Sequence, residues 1–253
     1  MRGLWLDFRR GLAELIFPPA PVCAVCDRDA AGPRLGLCRE CLGRLPMLGP
    51  PLCGSCGRML RLCAAADGTC RECARERFYF SHARAACLYD GAARSYLHEV
   101  KFGRSLPLAR ALADVLAQFV REERCFGGYD AIVPVPLHYA KEAERGFNQA
   151  EIMAQAVGGV LRRSVLREVL IRTRRTEAQN RLDRNRRRTN VHGAFKVVEP
   201  ACLQGRKILL VDDILTTGYT VSECARMLLR AGARVVDVLT LANGVIENDW
   251  FGT

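Results

Sequence analysis

The run Ile208-Leu209-Leu210-Val211-Asp212-Asp213-Ile214-Leu215-Thr216-Thr217-Gly218-Tyr219-Thr220 constrains this chain more than any other segment. Apolar residues lead into two adjacent carboxylates and then into a turn of hydroxyls and glycine. Residues 207–211 have the length and composition of a buried strand. Residues 221–230 read as a helix that stops at Ala231-Gly232. A strand, a polar turn and a helix N-terminus together offer unpaired N–H groups to an anion. The order of groups narrows that anion. Carboxylates accept hydrogen bonds and repel phosphate, so Asp212 and Asp213 suit a neutral diol such as ribose hydroxyls. Thr216, Thr217 and Thr220 bring hydroxyl donors, and Gly218 permits close backbone approach; these suit a phosphate further along. A sugar phosphate satisfies this order better than bare phosphate. The alternative, a strand capped by a polar loop, leaves the match of several polar positions to one ligand unexplained.

The rest of the chain supplies a scaffold for such a site. Residues 84–89, 131–136 and 235–241 read as further strands. Residues 95–101, 106–123 and 147–161 read as helices; in the second of these, Leu108, Leu112, Val115, Leu116 and Phe119 recur at helical spacing. Strands alternating with helices predict an α/β fold with a mostly parallel sheet flanked by helices. Ligands of such sheets sit beyond the C-terminal strand ends, where both the Asp212-Asp213 and the Val135-Pro136 segments fall.

Composition divides the chain near residue 80. Before it, eight of the thirteen cysteines form four Cys-x-x-Cys pairs: Cys23/Cys26, Cys38/Cys41, Cys53/Cys56 and Cys70/Cys73. Regular close pairs of this kind are zinc ligands rather than a disulfide framework. Sequential pairing gives two four-thiolate sites, and a cross-braced pairing is the other arrangement the spacing permits. Closed four-cysteine sites are structural, because catalysis needs an open position. Cys63 reads as a bystander, and Cys87, Cys125, Cys202 and Cys224 read as core residues. Two domains are expected: residues 1–80, an N-terminal helix with the zinc module, and residues 81–253, the phosphate-binding domain. The N-terminal segment 4–17 is apolar but broken by charges, so it reads as a short amphipathic helix and not as a signal or membrane span. A reducing cytoplasm is the setting these cysteines imply.

The Asp212–Thr220 turn resembles the binding motif for PRPP (5-phosphoribosyl 1-pyrophosphate) of type I phosphoribosyltransferases. With the four cysteine pairs, Lys101-Phe102-Gly103, Val133-Pro134-Val135-Pro136-Leu137-His138, Arg145-Gly146-Phe147-Asn148-Gln149, Thr176-x-x-Gln179 and Asn190-Val191 in order, the chain resembles the ComF family of phosphoribosyltransferase-like proteins over nearly its whole length. That resemblance implies a type I phosphoribosyltransferase-like fold behind a zinc module, and a role in single-stranded DNA uptake during natural transformation. It implies that Asp212 and Asp213, the catalytic pair of such enzymes, hold the ribose hydroxyls. Thr216, Thr217, Gly218, Tyr219 and Thr220 would wrap the 5-phosphate, Tyr219 chiefly through its backbone. Lys101, Val135, Pro136, Lys141 and Arg145 would complete the PRPP set, residues 135–145 acting as the pyrophosphate loop. Family loops often carry more arginines where this chain has Ala140 and Ala143, with Glu142 and Glu144 beside them. Were the chain an enzyme, it would displace pyrophosphate from the anomeric carbon with Mg²⁺ on the leaving group. The acceptor is not legible. His138 reads as a loop hydrogen-bonding residue.

The net charge of +11 calls for an anionic partner. Much of it lies in Arg172, Arg174, Arg175, Arg181, Arg184, Arg186, Arg187 and Arg188, opposed only by Glu177 and Asp183. This tract reads equally as a flap over the site and as a nucleic-acid track. Arg174, Arg175, Arg184, Arg186, Arg187 and Arg188 are the nucleic-acid candidates, with Phe195 and Tyr139 the nearest aromatics for base stacking. Beyond PRPP or a related ribose phosphate, the expected partners are single-stranded DNA and a DNA-uptake helicase.

Overall fold

A computed structural model describes residues 22–30, 36–60, 68–123, 125–174 and 191–244. The expected N-terminal helix, Cys63 and most of the arginine tract lie outside these residues.

Strand β1 (Ala83–Leu88) is followed by helix α3 (Gly91–His98), a π-turn (Glu99–Gly103), helix α4 (Leu106–Glu122) and strand β2 (Ala131–Pro134). Helices α5 (Tyr139–Arg145) and α6 (Gln149–Leu161) come next, then the short strands β3 (Leu170–Arg172) and β4 (Phe195–Val197). Strand β5 (Lys207–Leu215), helix α7 (Tyr219–Arg230) and strand β6 (Val235–Asn243) complete the domain. The main sheet has order β1-β6-β5-β2, and every pairing in it is parallel. The antiparallel β3–β4 pair stands apart.

The pleat explains why β5 is apolar without alternation. Leu209 and Val211 face α4 and α6, joining Leu112, Leu116, Met153 and Val157 in one buried cluster. Ile208 and Leu210 face α7, joining Val221, Cys224, Ala225 and Leu228 in another. Both faces are covered, as a parallel sheet requires.

Three expectations are corrected. Strand β5 does not end at Val211 but runs through both carboxylates to Leu215, because β6 continues the ladder through Asp212↔Thr240 and Leu215↔Asn243. The segment expected as helix from Ser95 to Lys101 leaves α-helical geometry at Glu99 and finishes as the π-turn. Cys125 is exposed and Cys202 only partly buried; Cys125 lies on the turn from α4 to β2, and in the 3₁₀ turn Pro200–Leu203 it is Leu203 that enters the core. Cys87 and Cys224 are fully buried. Among the described residues no helix is long and apolar enough to cross a membrane.

Candidate ribose-phosphate site and zinc ribbons

The two halves of the N-terminal module are copies of one plan. In the first, a knuckle closes through Cys23 N–H donating to Arg28 O at 2.8 Å, and Cys38 begins helix α1 (Arg39–Gly43). In the second, Cys53 N–H donates to Arg58 O at 2.7 Å, and Cys70 begins helix α2 (Arg71–Arg75). Cys23, Cys26, Cys38 and Cys41 form one cluster and Cys53, Cys56, Cys70 and Cys73 the other, the sulfurs of each within 4.8 Å of one another. Pairing is therefore sequential. The Cys26–Cys38 and Cys56–Cys70 Sγ separations are both 3.7 Å. A tetrahedron with Zn–S bonds of about 2.3 Å has edges of about 3.8 Å, so both sites fit structural zinc. Thiolates, not thiols, ligate zinc, so loading either cluster releases the protons of its cysteines.

The ribbons serve different faces of the sheet. Cys23, Cys38 and Cys41 pack into the cluster of α3 and α4, where Tyr96 Oη donates to Cys41 O at 3.2 Å. Cys53, Cys56 and Cys70 pack into the α7 cluster, and Asn243 Nδ2 donates to Cys56 O at 3.0 Å.

At the C-terminal end of β5 successive side chains leave on opposite faces. Asp213 turns toward α6 and is 4% exposed. There Lys101 Nζ lies 2.7 Å from Asp213 Oδ2, and Gln149 Nε2 donates to the same oxygen at 3.3 Å. The π-turn delivers Lys101, and Asn148 delivers Gln149: Asn148 Oδ1 caps α6 by accepting from Ala150 N–H at 3.0 Å, while its Nδ2 donates to Val135 O at 3.2 Å. Asp212 is partly buried, and its side-chain Oδ1 accepts from Asp213 N–H at 2.8 Å. Burial, and then the adjacent Asp213 charge, pushes the Asp212 carboxyl up to about 8. The folded protein thus holds a proton that the unfolded chain has released between pH about 4 and 8, so this group's contribution to stability falls as pH rises through that window. The unfolding midpoint is expected to drop from pH 6 to pH 8.5 less steeply in Asp212→Asn, measured by calorimetry; equal slopes would remove Asp212 as the cause.

The turn after β5 is backed by protein. Gly218 has φ 82°, and a Cβ there would stand 3.1 Å from the Phe78 ring, so this position requires glycine. Among the described residues the buried Thr217 Oγ1 has no hydrogen-bond partner. Buried hydroxyls are normally satisfied, which sets this one apart within the turn. Tyr219 contributes more than backbone: its Oη donates to Glu76 Oε1 at 2.9 Å. Thr216 and Thr220 are partly buried.

The segment expected as a pyrophosphate loop is differently furnished. Val135 N–H donates to Val211 O at 2.8 Å and Pro136 has no N–H, so neither offers an amide to a ligand. Residues 139–145 form α5, where the buried His138 Nδ1 accepts from Ala140 N–H at 3.3 Å. The structure thus gives His138 the hydrogen-bonding role read from sequence. Arg145 donates from Nη1 to Gln149 Oε1, and burial lowers its pKa. Lys141 sits on α5, partly buried. Of the arginine tract, Arg172 is drawn into the fold with its guanidinium 5.3 Å from the Phe195 ring centroid. Phe195 is itself buried and cannot stack a base; Tyr139, 77% exposed, can. Arg174 is exposed and donates to His192 O at 3.0 Å. Arg175, Arg184, Arg186, Arg187 and Arg188 lie outside the described residues. Sequence reading gave Gln149 no role, although it lies in a quoted motif, and passed over Arg58.

A parallel sheet with an acidic pair and a glycine turn at its carboxyl edge, preceded by two four-cysteine ribbons, defines a phosphoribosyltransferase-like protein with a double zinc ribbon. Comparison with known families agrees: a phosphoribosyl transferase domain matches residues 103–247 and a double zinc ribbon domain residues 12–87. DNA utilization protein YhgH of Escherichia coli (strain K12) is 32% identical over 223 residues, covering 87% of this chain and 96% of that protein. Its namesake in Salmonella typhimurium (strain LT2) is 34% identical over 230 residues, covering 87% and 89%. Competence protein F of Haemophilus influenzae is 28% identical over 224 residues, covering 87% and 96%. The chain belongs to the ComF family of phosphoribosyltransferase-like proteins.

Proposed function

We propose that this protein binds PRPP at the β5–α7 turn and acts on single-stranded DNA during its uptake and processing in the cytoplasm. The observation that carries the ligand is Thr217 Oγ1, a buried hydroxyl that has no hydrogen-bond partner among the described residues and lies in the turn after the acidic pair. The carboxylates of Asp212 and Asp213 stand five and four residues before it in the sequence. The DNA role rests on the names of the relatives, competence and DNA utilization proteins, and on the +11 charge. A helicase of the uptake machinery is the protein partner this role calls for.

Among the described residues, no group of three or more carboxylate or histidine ligands surrounds the acidic pair, so magnesium would arrive with PRPP. Bound there, it supplies charge neutralisation at the pyrophosphate. The protein's own part is to orient the ribose through Asp212 and Asp213 and to hold the 5-phosphate. Binding without transfer is the favoured reading, because the Val135 amide and Arg145 are committed within the protein. The second reading, a phosphoribosyltransferase acting on an unidentified acceptor, is favoured by the retention of the acidic pair.

Calorimetric titration with PRPP and Mg²⁺, paired with a pyrophosphate-release assay over a panel of acceptors, tests both. Binding without release is expected; release with one acceptor would establish the enzyme, and no binding would end the ligand reading. For DNA, affinity for a labelled single strand should fall with salt at a log–log slope of about −0.7 per phosphate contacted. Replacing Arg186, Arg187 and Arg188 together by alanine should lower that slope by about 2. An unchanged slope would clear those arginines of DNA contact.

A further inference from the structure

We infer that Arg58, from the second zinc ribbon, is the positioning residue of the phosphate turn. The inference rests on the PRPP reading of that turn and extends it to a residue outside the phosphoribosyltransferase match. Arg58 is 6% exposed. Its Nη1 is ion-paired to Glu72 on α2, inside the same ribbon. Its Nη2 donates to Thr216 O at 2.9 Å, the first carbonyl of the turn. The planar fork of a guanidinium holds two acceptors in fixed relation, so it ties the turn to the metal ribbon across 158 positions of sequence. Among the described residues Arg58 Nε is buried with no hydrogen-bond partner, so the two Nη nitrogens carry its contacts to Glu72 and Thr216.

The rest of the ribbon's exit segment lies against the same backbone. The Phe78 ring stands behind Gly218, 3.1 Å from where a Cβ would be, and stacks on Phe80 with centroids 5.1 Å apart. Glu76 receives the Tyr219 hydroxyl at 2.9 Å. The turn's amides are useful to a phosphate only if their carbonyls are turned away and held, and Arg58 holds the Thr216 carbonyl from behind. The first ribbon packs on α3 and α4 instead, so the two ribbons are not equivalent: the second sets ligand affinity and the first does not.

The test uses the full chain with both sites zinc-loaded. Arg58→Ala is expected to retain two zinc ions per chain and to bind PRPP about tenfold more weakly, the loss of one charged hydrogen bond. Arg58→Lys, whose single ammonium cannot span both acceptors as a fork, should fall between. Arg84→Ala is the control, because Arg84 Nη1 grips the same ribbon at Gly54 O, 3.1 Å, without touching the turn; its PRPP affinity should match wild type even where its unfolding midpoint falls. Should Arg58→Ala not fold, Phe78→Leu, which thins the support under Gly218 and leaves every thiolate in place, must show weaker PRPP binding at full zinc content. Wild-type protein that fails to bind PRPP overturns the ligand reading and this inference with it. Wild-type protein that binds, while Arg58→Ala or the Phe78→Leu replacement binds equally well, or Arg84→Ala loses as much as Arg58→Ala, overturns the inference alone.

Discussion

Asp213→Ala is expected to weaken PRPP binding about a hundredfold. A hydrogen bond to a charged acceptor contributes about 1.5–3 kcal/mol, and about 1.4 kcal/mol is a factor of ten. The upper end applies because the carboxylate is almost fully buried and already oriented by Gln149 Nε2 at 3.3 Å and Lys101 Nζ at 2.7 Å, so a ribose hydroxyl meets a fixed acceptor. Asp213→Asn keeps the shape and one carbonyl oxygen and should lose about tenfold. Lys101 complicates the arithmetic: freed of Asp213, its ammonium would be drawn to ligand phosphate and would mask part of the loss. The double-mutant cycle with Lys101→Ala separates the two effects. Calorimetric titration at fixed pH and salt reads the outcome. Binding of Asp213→Ala within twofold of wild type would mean that the diol lies elsewhere.

Asp212, Asp213 and the elements around them show what the chain discloses before folding and what it withholds. Strand β5 was legible because burial on both faces removes polar residues from alternate positions and leaves an unbroken apolar run. Its extension through Asp212 and Asp213 was not, since two acids argue locally for a turn and only the β6 ladder overrides them. The zinc ligands were legible from spacing, but their grouping was not: Cys-x-x-Cys spacing suits both sequential and cross-braced pairing, and it is the knuckle-and-helix repeat that groups them. Gln149 could have been found, because it follows an N-capping asparagine and so sits in the first turn of a helix pointing at the strand ends. Arg58 could not. It reads as one basic residue among many, and its two acceptors meet only when the ribbon folds back on the α7 face. Cys125 and Cys202 misled because cysteine is usually buried, while their turns place neighbouring apolar residues inside instead.

Loss of zinc from the second ribbon is expected to have the largest effect on the molecule. Cys53→Ser removes one ligand of that site, and Cys53 Sγ also accepts the Cys70 N–H at 3.3 Å where α2 begins. Structural zinc sites bind with apparent free energies of about 10–16 kcal/mol in isolated fingers, comparable with the about 5–15 kcal/mol that stabilises a whole domain. Even half of the lower figure, about 5 kcal/mol, corresponds to about 10–20 °C in a domain of this size. The loss should not stay local. Cys53, Cys56 and Cys70 share one buried cluster with Ile208, Leu210 and Leu228, so an unfolded ribbon exposes the α7 face of the sheet along with the back of the phosphate turn. Metal analysis should fall from two zinc ions per chain to one, with the unfolding midpoint down by at least about 10 °C. Cys202→Ser, at a partly exposed thiol outside both clusters, should leave both measurements unchanged. A Cys53→Ser protein that has lost one zinc yet unfolds at the wild-type temperature would show that the sheet closes its α7 face without the ribbon, and that the ribbon is an appendage to the fold.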